Sequence, residues 1–462
     1  MAHLMISAAH KSSGKTTISI GLCAAFQRKS LVVQPFKKGP DYIDPLWLGQ
    51  AAGCACYNLD FFTTGSREIE HLFHSKMAGA DIGIIEGNKG LYDGLDLHGS
   101  NSNAALAGLL GAPVVLVLDT RGMTRGIAPL ILGYQAFDEQ IRIAGVILNS
   151  VGGTRHESKL RSVIEHYTDV RVAGAVPRND AVQIEERHLG LMPSNEADAA
   201  QKRIDSIAEH VAGHVDLDAL LEISRSGQTT DVAPQERAAQ IQLSPEVRIA
   251  YARDAAFGFY YPDDLEAMSR AGAELIPFDT LNDAKLPDAD GLFIGGGFPE
   301  TAMSALESNR SMRASIKAFI EKGGPAYAEC GGLMYLCRSL HWQDKRAAMA
   351  GVLPADVKMH QKPQGRGYVR LCETSDHPWL AGDAPPQQVN AHEFHYSGLE
   401  NLDASQKFAY KVERGYGVDG LHDGLIYKNL LANYSHMRNV GSNHWVERFV
   451  SHVAACKHRN KI

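Results

Sequence analysis

The stretch that decides the fold of the N-terminal half is residues 4–17, LMISAAHKSSGKTT. Residues 4–8 predict a buried β-strand, and residues 16–29 have the periodicity of a helix. A tight loop that enters a helix presents backbone N–H groups to an anion, while a lysine adds charge and a hydroxyl can hold Mg²⁺. The spacing therefore predicts a nucleotide-phosphate loop, with candidate ligands Ser13, Gly14, Lys15, Thr16 and Thr17. Ala9 replaces the first glycine of the usual pattern, so an ordinary loop-to-helix turn is the alternative.

Short β-rich runs alternate with helical patterns on either side of a polar stretch. Strands are predicted at 31–36, 82–86, 113–119, 143–149 and 172–176, and a helical region at 196–222. Residues 224–245 are rich in Ser, Thr, Gln and Pro, which is typical of a linker. After it, strands are predicted at 247–254, 274–278, 291–294 and 325–329, and helices at 261–270, 309–321 and 445–455. The pattern predicts two doubly wound α/β domains, 1–223 and 246–462, joined by a linker at 224–245.

Carboxylates follow the predicted strands of the first domain. Residues 36–45, FKKGPDYIDP, place two acids three positions apart, close to Lys37. The acids at or near strand ends are Asp41, Asp44, Glu86, Asp93 and Asp119. Parallel strands present their sites at their carboxyl ends, and acids beside a phosphate loop suit Mg²⁺ and ATP chemistry. Thr16 and Glu86 are the predicted Mg²⁺ ligands. Each acid taken singly also fits a helix cap or a solvated loop.

A second candidate site lies in the C-terminal half. Ala328-Glu329-Cys330-Gly331-Gly332 follows a predicted strand and precedes a helix start, the arrangement of a nucleophile elbow. A helix N-terminus favours a thiolate, so a lowered Cys330 pKa is expected. The N–H of Gly331 and the run Gly295-Gly296-Gly297 are candidate oxyanion donors. His436 is the preferred general base, and His392 and His395 are its rivals. The alternative for Cys330 is a buried structural cysteine.

Composition and charge exclude several classes of protein. The chain has 462 residues with a formal net charge of −7, which argues against non-specific binding to nucleic acid or to an anionic membrane. The seven cysteines are odd in number and irregularly spaced, which suits a reducing compartment. The apolar stretch at 104–118 is too short to span a bilayer, and no secretory signal is recognised. These features predict a cytoplasmic protein without nucleic-acid or membrane partners.

With these motifs together, the chain resembles the glutamine-dependent cobyrinic acid a,c-diamide synthases over essentially its full length. The N-terminal half is similar to dethiobiotin-synthetase-like ATP-binding domains, and the C-terminal half to class I, triad-type glutamine amidotransferases. The matching stretches are 13–17, 36–45, 86–87 with 90–94, 295–300, 329–332 and 392–397. FKKGPDYIDP and HEFHYS are long enough to make a chance match implausible.

The resemblance implies an activity and roles for individual residues. It implies ATP- and glutamine-dependent amidation of the a and c acetates of a cyclic tetrapyrrole polycarboxylate, through an acyl phosphate, with ATP and Mg²⁺ as cofactors. Lys37 would stabilise the transferred phosphoryl group. Cys330 would attack glutamine, with His436 as acid and base and with Gly331 and Gly296 as further catalytic positions. Residues at the positions that the family uses for substrate are Asp41, Tyr42, Asp44 and Asp93. A homodimer is left open.

The chain departs from the family pattern at several positions. Ala8 and Ala391 replace glycines, Asn88-Lys89 replaces Val-Met, and the loop 95–103 differs. Arg438 stands where the triad glutamate is usual. A related group, the siroheme amidase associated with dissimilatory sulfite reductase, is similar and is the alternative for the substrate. Cobyric acid synthase, an ATP-switch protein of the partition type and a pigment carrier without turnover are the remaining rivals.

Overall fold

The computed structural model describes residues 1–182, 184, 186–187, 190–195, 200–228, 246–379 and 386–459. The chain forms two compact units, residues 1–236 and 237–462. Most of the predicted linker, 224–245, lies outside the described residues, so its bounds and those of the two domains stay a prediction.

The first unit is built from parallel strands with helices between them. Its strands are β1 (His3–Ala8), β2 (Val33–Lys38), β3 (Tyr57–Leu59), β4 (Ile82–Glu86), β5 (Val114–Asp119), β6 (Ile143–Val151), β7 (Arg171–Pro177), β8 (Glu186–Arg187) and β9 (Gly190–Leu191). Its helices are α1 (Lys15–Arg28), α2 (Ile43–Ala52), α3 (Ser66–Met77), α4 (Asn103–Leu110), α5 (Ile127–Phe137), α6 (Thr154–Tyr167), α7 (Ala200–Ala212) and α8 (Leu217–Arg225), with a 3₁₀ turn at Asp180–Val182.

The main sheet of this unit confirms the predicted doubly wound fold. Within the described residues its seven strands run in the order β3-β2-β4-β1-β5-β6-β7, and every neighbouring pair is parallel. Apolar side chains on both faces are buried, because helices cover each face. The order places the carboxyl ends of β1, β2 and β4 side by side. The phosphate loop and the end of β4 therefore meet at one edge.

The predicted helical region 196–222 is interrupted. Helix α7 ends at Ala212, just before Gly213, and Val215 forms a β-bridge with Gly174. Asp216 then caps α8, because its side chain accepts a hydrogen bond from Ala219 N at 2.9 Å. One helical region thus becomes two helices, and residues 196–199 lie outside the described chain.

The second unit combines a parallel half-sheet with an antiparallel extension. Its strands are β10 (Val247–Ala252), β11 (Phe257–Phe259), β12 (Ala273–Phe278), β13 (Gly291–Ile294), β14 (Gly296–Gly297), β15 (Ala326–Glu329), β16 (Ser339–Trp342), β17 (Lys345–Ala348), β18 (Asp356–Met359), β19 (Gly365–Glu373), β20 (Gln388–His395), β21 (Ser397–Glu400), β22 (Lys407–Arg414), β23 (His422–Tyr427) and β24 (Leu430–Asn433). Its helices are α9 (Pro262–Arg270), α10 (Met303–Ser308), α11 (Arg310–Glu321), α12 (Gly331–Leu336) and α13 (Trp445–Arg459).

Within the described chain, the large sheet of this unit has the order β12-β10-β13-β15-β24-β23-β22-β19-β20. Strands β12 to β24 in that order are parallel, and the strands beyond β24 are antiparallel. Strand β15 pairs with β24 so that Glu329 lies beside Asn433. This register joins the end of the strand before Cys330 to the segment that carries His436.

The large sheet of each unit is buried between two apolar clusters. No described helix has the length and apolar character that a membrane crossing requires.

Candidate active sites

The phosphate loop has the conformation that its sequence predicts. It connects β1 to α1, and both Ser12 and Gly14 have positive φ, at 62° and 86°. A Cβ at position 14 would lie 2.2 Å from Nδ2 of Asn149, which donates a hydrogen bond to Ser13 O at 2.9 Å. Glycine is therefore required at position 14 for two reasons, its left-handed backbone and the close approach of Asn149. Asn149 was not among the predicted site residues, although its position near the end of a buried parallel strand was the available signal.

A cavity of about 1090 Å³ opens over this loop. Every predicted phosphate ligand lines it, as do Lys37, Asp41, Asp44 and Glu86. The Lys15 ammonium donates a hydrogen bond to Lys89 O at 2.7 Å. Burial, together with the nearby Lys37 charge, lowers the pKa of Lys15 to about 8. An anion that brings negative charge to this ammonium would stabilise its charged form.

Lys37 lies at the centre of a buried cluster of carboxylates. Its Nζ lies 2.5 Å from Asp44 Oδ2, 3.0 Å from Glu86 Oε1 and 3.8 Å from Asp41 Oδ2. Burial by itself would lower the pKa of Lys37. The Asp44 and Glu86 carboxylates outweigh this effect of burial and raise the pKa of Lys37 well above its usual value. Burial and the neighbouring Asp44 charge raise the pKa of Asp41 to about 7, and burial also raises the pKa of Glu86. The cluster thus brings one fixed cation and several carboxylates to the cavity.

The same cluster offers oxygen ligands that suit Mg²⁺. Thr16 Oγ1 lies 2.7 Å from Glu86 Oε1 and 3.3 Å from Asp44 Oδ2. Glu86 Oε2 is buried without a hydrogen-bond partner among the described residues. In the described chain no group of three or more His, Cys, Asp or Glu side chains could hold a metal by itself. Mg²⁺ is commonly held by one or two carboxylates with phosphates and water, and these residues fit that set.

The two remaining predicted substrate residues, Tyr42 and Asp93, are not among the residues that line the cavity. Tyr42 is buried where the loop after β2 enters α2. Asp93 Oδ2 accepts a hydrogen bond from Gly90 N at 2.9 Å, so it shapes the loop that carries Lys89. Asn103, which the sequence analysis did not single out, donates to Gly90 O at 2.9 Å and fixes the same loop. Asp119, the predicted acid at the end of β5, forms an ion pair with Arg121, with 2.6 Å between Asp119 Oδ2 and a guanidinium nitrogen of Arg121.

Cys330 occupies a strained turn between β15 and α12. Its φ is 45° and its ψ is −101°, a conformation that few residues other than glycine adopt. A Cβ at Gly332 would lie 2.1 Å from Ile294 O, and one at Gly331 would lie 2.8 Å from Gly297 O. The elbow therefore depends on glycines at 331 and 332, because the 295–297 loop packs directly against them.

The thiol of Cys330 is buried, and this reverses one expectation from the sequence. Desolvation and the nearby Glu300 carboxylate raise the pKa of Cys330, although the N–H of Gly331 acts in the opposite direction. The expected lowering by the helix N-terminus is therefore wrong for the free chain, since α12 has only six residues and burial dominates. A thiolate at this position needs a neighbouring group that takes its proton.

His436 lies against the glycine loop next to the elbow. A Cβ at Gly296 would lie 2.5 Å from the Cε1 atom of His436. The imidazole Nδ1 lies 3.3 Å from Glu329 Oε2. Asp423 holds the preceding backbone, because it accepts hydrogen bonds from Tyr434 N and Ser435 N, each at 2.9 Å. The structure therefore fixes His436 between the residue that precedes the nucleophile and the predicted oxyanion loop.

The two rival histidines are close to His436 in the fold. The backbones of His392 and His436 exchange hydrogen bonds of 3.3 and 2.7 Å, and burial lowers the pKa of His392 to about 3. The His395 ring stacks on Tyr434 at 3.9 Å, with its Nδ1 2.8 Å from Ser397 O. The choice of His436 as the base stays a prediction, supported by its contact with the 295–297 loop.

Comparison with known proteins assigns each unit to a family. Residues 4–191 match the model of the CobQ/CobB/MinD/ParA nucleotide binding domain, and residues 248–443 match that of the CobB/CobQ-like glutamine amidotransferase domain.

Relatives named cobyrinate a,c-diamide synthase match along the whole chain. The protein from Magnetococcus marinus is 47% identical, with 96% of this chain and 95% of the relative covered. That from Archaeoglobus fulgidus is 40% identical, with coverages of 97% and 96%. That from Caldanaerobacter subterraneus subsp. tengcongensis is 38% identical, with 98% of each chain covered.

Proposed function

Because the chain belongs to the cobyrinate a,c-diamide synthase family, we propose that it amidates the a and c acetate carboxylates of a cobyrinate-type tetrapyrrole, using ATP and glutamine. The observation that carries this proposal is the 47% identity over 447 residues, which spans both candidate sites. Membership of this family makes the chain a glutamine-dependent amidating ligase of cobalamin synthesis.

The first unit would activate the carboxylate. A carboxylate is a poor acyl donor, so one of its oxygens attacks the γ-phosphorus of ATP, the bond to the β,γ-bridging oxygen breaks, and ADP leaves. Lys15 and the backbone N–H groups of residues 13–17 would hold the phosphates. Lys37, fixed by Asp44 and Glu86, would face the transferred phosphoryl group. The product is an acyl phosphate.

Thr16 and Glu86, with Asp44 beside them, would hold Mg²⁺ in this step. When bound there, the ion supplies charge neutralisation to the phosphate oxygens. Asp41, Tyr42, Asp44 and Asp93 would contact or position the tetrapyrrole carboxylate. The support for this arrangement is the buried Glu86 Oε2, which lacks a hydrogen-bond partner within the described chain.

The second unit would supply ammonia. The Cys330 sulfur attacks the side-chain amide carbon of glutamine, and the N–H groups of Gly331 and Gly296 would stabilise the resulting oxyanion. His436 takes the thiol proton and gives it to the leaving nitrogen, so ammonia departs and a glutamyl thioester remains. Water hydrolyses the thioester to glutamate. Ammonia then attacks the acyl phosphate carbon, phosphate leaves, and an amide forms.

Replacement of Cys330 tests this division of labour. We expect Cys330→Ala to abolish glutamine-dependent amidation and to leave amidation with added ammonium. The matched control is Cys372→Ala, which removes a half-buried thiol of the same unit and keeps both activities. Equal loss of both activities in Cys330→Ala would contradict the assignment of the nucleophile.

Replacement of Lys15 tests the phosphate site. We expect Lys15→Ala to stop amidation with either nitrogen donor, because both routes need the acyl phosphate. Ammonium-dependent amidation that persists in Lys15→Ala would contradict the phosphate role. Glutamine hydrolysis by this variant shows that the second unit is intact.

Siroheme is the second candidate substrate, and one feature of the loop after β4 supports it. Asn88, which replaces the usual valine, accepts a hydrogen bond from Lys38 Nζ at 3.2 Å and changes the polarity of this edge. Mass spectrometry of products formed from cobyrinic acid and from siroheme separates the two. We expect two amide conversions with cobyrinic acid. If only siroheme is converted, siroheme is the substrate, and the proposed amidation reaction still holds.

A further inference from the structure

The glutaminase site described above lacks the acid that triad-type enzymes place two residues after the histidine. Arg438 stands at that position, and its guanidinium is buried. It donates a hydrogen bond to Asp263 Oδ2 at 2.7 Å and lies 4.8 Å from the centre of the Tyr261 ring. Position 438 therefore belongs to a network with the start of α9 and supplies no carboxylate to His436.

A different carboxylate reaches the imidazole. Glu329 is the last residue of β15, and the pairing of β15 with β24 sets it beside Asn433, three residues before His436. Its Oε2 lies 3.3 Å from His436 Nδ1, and its side chain is 4% exposed. The acid therefore comes from the residue that immediately precedes the nucleophile.

The Glu329 carboxylate is fixed by groups other than the imidazole. Its Oε1 accepts hydrogen bonds from Met437 N at 2.9 Å and from the Tyr327 hydroxyl at 2.7 Å. The Tyr327 oxygen in turn accepts a hydrogen bond from Asn433 Nδ2 at 3.0 Å. With Oε1 held in this way, Oε2 is directed at the ring nitrogen.

We propose that Glu329 takes the place of the usual triad glutamate and acts as the positioning residue for His436. The carboxylate accepts a hydrogen bond from the Nδ1–H group, so Nε2 is the nitrogen that exchanges a proton with Cys330. A buried anion next to the ring also stabilises the imidazolium that forms when the thiol loses its proton. This inference rests on the proposed glutaminase activity of the second unit.

A purely structural role for Glu329 makes a different prediction. If the carboxylate served only to anchor Met437 N, Glu329→Gln would retain function, because the amide keeps one acceptor oxygen. If Glu329 positions His436, the amide nitrogen faces Nδ1 and favours the wrong tautomer. The analogous change in a serine protease triad lowers kcat about 10⁴-fold. We therefore expect a fall of roughly 10²- to 10⁴-fold in kcat for glutamine hydrolysis, with KM within about threefold.

The chain contains a matched control for this substitution. Glu393 is a second buried glutamate beside a histidine, with Oε2 3.5 Å from His395 Nε2. It accepts hydrogen bonds from Tyr416 N at 2.7 Å and from Gly417 N at 2.8 Å. Glu393→Gln removes the same charge from the same unit, and we expect its kcat to stay within about threefold of the wild-type value.

The experiment measures glutamine hydrolysis by the full-length chain and its variants, together with the rate at which iodoacetamide alkylates the Cys330 peptide. The inference predicts that Glu329→Gln slows both and that Glu329→Asp restores part of kcat. Tyr327→Phe keeps the carboxylate but removes one of the hydrogen bonds that hold it. This variant should lower kcat about three- to tenfold even if Glu329→Gln does not fold.

Wild-type rates in Glu329→Gln, or in both Tyr327→Phe and Glu329→Asp, would overturn the inference. So would a larger loss in Glu393→Gln than in Glu329→Gln. A wild-type chain that does not hydrolyse glutamine would instead refute the proposed function.

Discussion

The contact between Gly296 and His436 gives a sharp test of the glutaminase geometry. Gly296 has no side chain, and a Cβ there would lie 2.5 Å from His436 Cε1 and 3.3 Å from Phe259 Cβ. Two non-bonded carbon atoms pack at a separation of about 3.5 Å or more, so Gly296→Ala moves the Cε1 atom of the imidazole away by roughly 1 Å. The ring edge can move without unfolding the strand, so the substitution displaces the proposed base and spares the fold.

The expected cost follows from that displacement. A misplacement of about 1 Å in a catalytic constellation lowers the rate by roughly 10²-fold, which corresponds to about 2.7 kcal/mol in the activation free energy. We expect Gly296→Ala to lower kcat for glutamine hydrolysis by that factor, and ammonium-dependent amidation to stay near the wild-type rate.

The assay compares steady-state glutamine hydrolysis with ammonium-dependent amidation in the same preparation. Gly133→Ala is the matched control, because among the described residues no heavy atom beyond its chain neighbours and the backbone of α5 lies within 4 Å of a Cβ at that position. Wild-type hydrolysis by Gly296→Ala would refute the placement of His436 as the base. Equal loss of both activities would show that the substitution acts through stability.

Three further predictions concern the ATP unit. Gly14→Ala should abolish nucleotide binding, because φ is 86° at this position and the new Cβ would lie 2.2 Å from Nδ2 of Asn149. Calorimetry measures the binding, and an unchanged affinity would contradict the loop geometry. Burial lowers the pKa of Lys15 to about 8, so the affinity for ATP should fall as the pH rises through about 8, and a flat titration would contradict that role. Lys37→Gln leaves Asp44 and Glu86 buried without their cation, which should cost about 3–5 kcal/mol in urea unfolding of this unit. Mg²⁺ should restore part of that stability, and an unchanged midpoint without Mg²⁺ would contradict the burial of the cluster.

Local sequence patterns were enough to predict the doubly wound fold. The strand at 82–86 and the strand at 291–294 have the bounds that their apolar runs predict. The broken helical region shows the limit of such patterns. Gly213 and Asp216 carry the local signals for a helix end and a cap, but the bridge between Val215 and Gly174 that fixes the break joins distant parts of the chain.

The sequence was enough to predict site residues that lie together in one short motif. Contacts between residues that strand pairing brings together from distant parts of the chain were missed. Cys330 and its glycines form a local motif, so the elbow was predictable. The pKa of its thiol was not, because burial depends on the whole unit. Glu329 is adjacent to Cys330 in sequence, yet its contact with His436 follows from the pairing of β15 with β24. Asn149 reaches the phosphate loop from β6 in the same way.

We propose that one chain moves the amide nitrogen of glutamine onto a tetrapyrrole carboxylate at the expense of ATP. The most direct test incubates the full-length protein with cobyrinic acid, ATP, Mg²⁺ and glutamine labelled with ¹⁵N in the side-chain amide, in the presence of unlabelled ammonium at low concentration. Mass spectrometry should then show a product that carries two ¹⁵N amides, with one ADP formed for each amide. A product without ¹⁵N, or ¹⁵N amidation that proceeds without ATP, would refute this proposed activity.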